Sequence, residues 1–124
     1  MAKAMNDLFA DAAFDWVDQC DLMIACSDQP TNYTEATATY ALADVAVTPD
    51  TDFTKADGDS SGRKVTVAAK SGVTVDSSGT ATHIALVRSG DTSLRYVTTC
   101  TSQVLTAGNT VNFPAWDIEI SDPA

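Results

Sequence analysis

Arg63-Lys64-Val65-Thr66-Val67-Ala68-Ala69, then Val73-Thr74-Val75, then Thr80-Ala81-Thr82-His83-Ile84-Ala85-Leu86-Val87-Arg88 carry the fold in their pattern. Residues branched at Cβ dominate these runs, and such branching disfavours a helix while suiting a pleated surface. Gly72, Asp76-Ser77-Ser78-Gly79 and Ser89-Gly90-Asp91 punctuate them with turn chemistry. Leu94 to Thr99 forms the next run, and Val111-Asn112-Phe113 and Trp116-Asp117-Ile118-Glu119-Ile120 close the chain. In the last of these, Trp116, Ile118 and Ile120 alternate with Asp117, Glu119 and Ser121, which marks an antiparallel strand buried on one face only. Short strands with frequent turn signals predict a mainly β chain. The expected fold is a single-domain antiparallel β-sandwich or partly closed barrel of about six to eight strands.

Upstream the period changes. Met5, Leu8, Phe9, Ala12, Trp16 and Cys20 recur at three and four, so they line one face of a helix over residues 1–20, with Asn6 or Asp7 in its first turn. Leu22-Met23-Ile24-Ala25-Cys26 has strand length and is closed by Ser27-Asp28-Gln29-Pro30. A second short helix is expected at Tyr33–Tyr40, capped by Thr31 or Asn32, with Glu35 in its first turn. Residues 21–124 are otherwise mainly β, and the β reading becomes continuous from Val45. The expected core is Trp16, Leu22, Ile24, Val65, Val67, Ile84, Leu86, Tyr96, Val97, Trp116, Ile118 and Ile120. At 124 residues the chain is one domain.

Seven Lys and Arg stand against seventeen Asp and Glu, a formal net charge of −10. Phosphate backbones and anionic lipid surfaces are bound by clustered cations, so neither nucleic acid nor a membrane is an expected partner. Residues 1–54 hold one Lys and ten acidic residues, a net of −9, while residues 55–124 hold six basic and seven acidic residues, a net of −1. No apolar run approaches the roughly 20 residues of a membrane helix. The N-terminal stretch lacks the uninterrupted apolar core of a secretory signal, so the expectation is synthesis and folding in a cytoplasm. Cys20, Cys26 and Cys100 are odd in number and lack the paired spacing of a zinc site, and they read as reduced thiols used as small apolar groups.

Three constellations bear on chemistry. His83 is the sole histidine, within a strand and with Ala81, Ala85 and Val87 on its face. Without a nucleophile elbow around any serine, it reads as a packing or surface residue. Asp57-Gly58-Asp59-Ser60-Ser61-Gly62 follows the first half of a calcium loop, with Asp57, Asp59 and Ser61 at alternate positions. The twelfth position is Ala68 rather than a bidentate Glu, so a plain polar loop is the stronger reading. Asp7, Asp11, Asp15 and Asp18 stack at spacings of four, four and three along the first helix. Such a series costs an isolated helix stability. It reads either as a solvated face or as a ridge that docks on a basic partner. No cofactor, metal or enzymatic activity is expected.

Asp21-Leu22-Met23-Ile24-Ala25-Cys26-Ser27-Asp28-Gln29-Pro30-Thr31, Gly62-Arg63-Lys64-Val65-Thr66-Val67-Ala68-Ala69, Gly79-Thr80-Ala81-Thr82-His83-Ile84-Ala85-Leu86, Leu105-Thr106-Ala107-Gly108-Asn109-Thr110-Val111 and Ala115-Trp116-Asp117-Ile118-Glu119-Ile120 together resemble a family of small structural proteins of tailed bacteriophages. The resemblance covers nearly the whole chain, through strand and turn patterns rather than a catalytic signature. It implies a non-enzymatic virion component made in the bacterial host cytoplasm. The expected role is a capsid decoration or cement protein on the outer face of the head, with the major capsid protein or other virion subunits as partners. A homo-oligomer is expected, a trimer being natural to local three-fold axes. The alternative is a tail, collar or fibre component, including one that binds a host surface.

Overall fold

The computed structural model describes residues 7–58 and 62–120. One helix, α1 (Asp7–Val17), precedes nine strands among these residues: β1 (Leu22–Cys26), β2 (Ala41–Ala46), β3 (Phe53–Asp57), β4 (Arg63–Val67), β5 (Lys70–Thr74), β6 (Gly79–Arg88), β7 (Ser93–Leu105), β8 (Thr110–Phe113) and β9 (Trp116–Ile120). All pair antiparallel, in sheets ordered β2-β1-β6-β7, β3-β4-β9 and β5-β8, with no closed barrel. The mainly β expectation holds, with more strands than expected. Ala41–Ala46, rich in alanine, and Phe53–Asp57 carry little β propensity and become strands through their partners β1 and β4.

Both faces of the four-stranded sheet are covered. On one face Met23, Ala25, Ala43, Ala81 and Leu86 pack with Phe53, Val65, Val67 and Ile118 of the three-stranded sheet and with Val73, Val111 and Phe113 of the small sheet. Ile24, Cys26, Ala85 and Val87 on the other face pack with Ala36, and Tyr33 and Tyr40 lie against them. The short helix expected at Tyr33–Tyr40 is a wide π-type turn, Glu35–Thr39. Its start is held reciprocally: the Glu35 amide donates to Asn32 Oδ1 at 2.8 Å, and the Thr31 amide donates to Glu35 Oε1 at 2.7 Å. An isolated bridge, Ala43 with Val75, and amides of Asp76 and Ser77 donating to the Leu42 carbonyl at 2.7 and 3.1 Å join the small sheet to β2. Gly72, at φ +68°, occupies the irregular step of β5 between Lys70 and Val73, a conformation that residues with a Cβ rarely adopt.

Three sequence expectations are corrected. The helix stops at Val17 rather than at residue 20. Among its described side chains, which do not include those of Leu8 and Phe9, Phe14 and Val17 are buried, whereas Ala12 is exposed and Trp16 is 51% exposed. Trp16 therefore leaves the core list, because the face of α1 that meets the sheets is set by the Phe14–Val17 pair. Ala81 does not share a face with Ala85 and Val87. The β6–β7 register slips between Ala81 and His83, which sends Ala81 to the side of Leu86. Of the remaining expected core, Ile24, Val65, Val67, Leu86 and Ile118 are buried, while Leu22, Ile84, Tyr96, Val97 and Trp116 are half-buried. The side chain of Ile120, and Met5 and Asn6 of the helix expectation, lie outside the described residues.

Candidate partner-binding surface

Of the carboxylates that the sequence sets along α1 and just beyond it, the described pair, Asp15 and Asp18, have different fates. Asp18 follows the helix and turns inward. Its side chain is only 4% exposed, and Lys55 Nζ of β3 meets its Oδ2 at 3.1 Å while Gln19 Nε2 donates to its Oδ1 at 3.2 Å. The same ammonium donates to Asp15, whose side chain stays 64% exposed. Hydrogen bonds to Asp15 hold Lys55 above its ordinary pKa of 10.5. Asp18 is thus an internal clamp between helix and sheet, and Asp15 is the part of the expected ridge that faces solvent. The side chains of Asp7 and Asp11 lie outside the described residues.

The helix end is closed by cations from distant strands. The Phe14 carbonyl accepts from the Asp18 amide at 2.7 Å and that of Val17 from the Cys20 amide at 3.1 Å. Arg95 Nη1 donates to the Trp16 carbonyl at 2.6 Å and Arg88 Nη1 to the Gln19 carbonyl at 2.9 Å. α1 has no basic residue in its own last turn, so these arginines complement its negative end. Arg95 occupies the irregular step of β7 between Leu94 and Tyr96, which aims it across the sheet edge. Its side chain is 8% exposed, reaches Asp91 at 2.9 Å and lies 4.7 Å over the Trp16 ring.

Every cation of the described sheets is engaged inside the chain. Lys70 meets Asp52 at 2.9 Å, Arg63 meets Asp57 at 2.8 Å and Lys64 meets Asp117 at 3.6 Å, beside Lys55, Arg88 and Arg95. The surface keeps the surplus: Asp15, Asp28, Asp44, Asp50, Asp76 and Glu119 are all exposed. Burial, then a hydrogen bond with Asp76 and its charge, raises the pKa of Asp44 above 3.8. Next to α1 a groove of about 490 Å³ has buried Phe14 and Ile118 in its wall and exposed Trp16 and Glu119 at its edge.

The other constellations remain separate. Asp59 and Ser61 of the calcium-like loop lie outside the described residues, and Asp57 is held by Arg63. Among the described residues no group of three His, Cys, Asp or Glu is placed to hold a metal. His83 Nδ1 bonds Thr82 Oγ1 at 2.8 Å. All three cysteines are free thiols, and burial pushes Cys20 up to about 12 and Cys26 up to about 11. No helix of the described residues is long and apolar enough to cross a membrane. Lys55 and Arg95, the residues that organise this surface, were absent from the sequence reading. Their only signal was a scarcity of cations in a chain rich in acids. No protein-family model, curated protein or solved structure matches this chain.

Proposed function

We propose that the chain is a non-enzymatic bacteriophage virion protein that decorates or cements the outer face of a head, its exposed carboxylates docking on basic capsid subunits. The observation that carries the reading is electrostatic. All six cations of residues 55–124 have partners within the chain, so the charge left unpaired on the surface of the described residues is acidic. Opposite potentials steer and orient such a contact. The sequence resemblance to small phage structural proteins supports the same reading. Copies of such a protein would assemble by symmetry on the particle.

Two measurements test it. Copy number in purified particles should scale with the number of capsid subunits, whereas a count matched to one vertex or one tail would move the protein to the tail, collar or fibre reading. A variant with Asp7, Asp11 and Asp15 replaced by Asn, Asp18 being kept for the fold, should attach more slowly and with a shallower salt dependence. Unchanged occupancy of particles across low and high salt would reduce the helix face to a solvated surface.

A further inference from the structure

Between the inner face of β6 and β7 and the strand β8 lies a cleft of about 200 Å³. Its depth comes from two alanines on neighbouring strands, Ala25 and Ala81, where larger side chains would have filled the space; Ile84, Leu105 and Phe113 supply the rest of its apolar wall. Its polar groups are Thr101, Gln103 and Asn112, all exposed and so at its mouth. The strand register is altered here. From His83–Thr99 to Ala81–Gln103, β6 advances two residues while β7 advances four, and the resulting bulge gives both Cys100 and Thr101 to the cleft. A water molecule needs two to four polar partners, and this wall offers it few. A dry apolar cavity of roughly 150 Å³ already holds benzene.

We infer that this cleft is a binding site for a small, largely apolar molecule about the size of one aromatic ring, held by contact and not by a covalent bond. The inference is independent of the assembly reading. Burial raises the pKa of the Cys100 thiol, so it labels slowly near neutral pH and is followed at alkaline pH, where enough thiolate forms to react. Cys100 also reports on the site, because Cys20 and Cys26 are fully buried and the label of a thiol reagent falls on the cleft.

The test is iodoacetamide labelling of the folded chain, located by peptide mass, with toluene as the probe. Toluene at about ten times its Kd should slow labelling of Cys100 about tenfold. Ala81→Leu, or Ala25→Leu if the first variant does not fold, should fill the cleft and abolish the protection by toluene. Three results overturn the inference: a labelling rate unaffected by toluene, protection that persists in a folded filled variant, or labelling that accelerates on dilution in the absence of probe. The last would mean that a second copy of the chain, rather than a small molecule, occupies the cleft.

Discussion

Replacing Lys55 by Met tests the junction between α1 and the sheets. At 3.1 Å and an effective dielectric of 20, the attraction between Lys55 and Asp18 is about 5 kcal/mol before desolvation. The net value is smaller, but removing only the ammonium strands a carboxylate whose side chain is 4% exposed. Breaking a buried pair in this way costs about 3–5 kcal/mol, and Lys55, 28% exposed, belongs at the lower end. The expectation is about 3 kcal/mol, or a fall of about 2 M in the urea midpoint at an m-value of roughly 1.5 kcal/mol/M. Asp18→Asn alone should cost about 1 kcal/mol. The double variant should cost clearly less than the two singles added, because no buried charge is left unpaired. The pH arm has a definite sign. The folded-state pKa of Lys55 is raised, so its contribution is fully present below 10.5 and is lost as pH climbs through the folded value; K55M should lack that alkaline loss. A K55M variant within about 0.5 kcal/mol of the parent, or strictly additive singles, would refute the clamp.

Phe14→Ala should cost about 3–5 kcal/mol in urea unfolding, and Trp16→Ala only about 1–2, since Phe14 is buried and Trp16 half-exposed; the reverse order would restore Trp16 to the core. Arg95→Lys keeps the charge but loses the fork that joins Trp16, Ser93 and Asp91, so it should cost about 2 kcal/mol and red-shift tryptophan fluorescence. Asp76→Asn relieves the like charge beside Asp44. Because the folded pKa of Asp44 is raised above 3.8, the parent loses stability as pH rises through that folded value, and the variant should gain roughly 0.2–0.5 kcal/mol at neutral pH with a flatter profile by thermal unfolding. Thr92 is β-branched at φ +51°, so Thr92→Gly should stabilise by about 1 kcal/mol in the same assay.

The strands from Arg63 onward, the short strand at Leu22–Cys26 and the helix before it were legible in the sequence in kind and place, because period and turn chemistry are local properties. Their extent was not: the run read at Leu94–Thr99 continues to Leu105, and Gly72, read as a turn, lies within β5. The inside-outside alternation of Trp116 to Glu119 was legible for the same reason. The net acidity and its concentration in residues 1–54 were also fixed by composition alone. Which face of α1 would be buried was not. Trp16 and Phe14 are both apolar and two residues apart, and only the docking of the helix against β4 and β7 decides between them. Nor could a slip in strand register be read from β6 alone, since the bulge that moves Ala81 and gives Cys100 and Thr101 to the cleft depends on the pairing with β7. The fate of the charges needed the fold most of all. Asp18 and Lys55 are 37 positions apart in the chain, as Trp16 and Arg95 are 79, and a Coulomb or hydrogen-bond energy depends on separation in space, which sequence spacing does not encode.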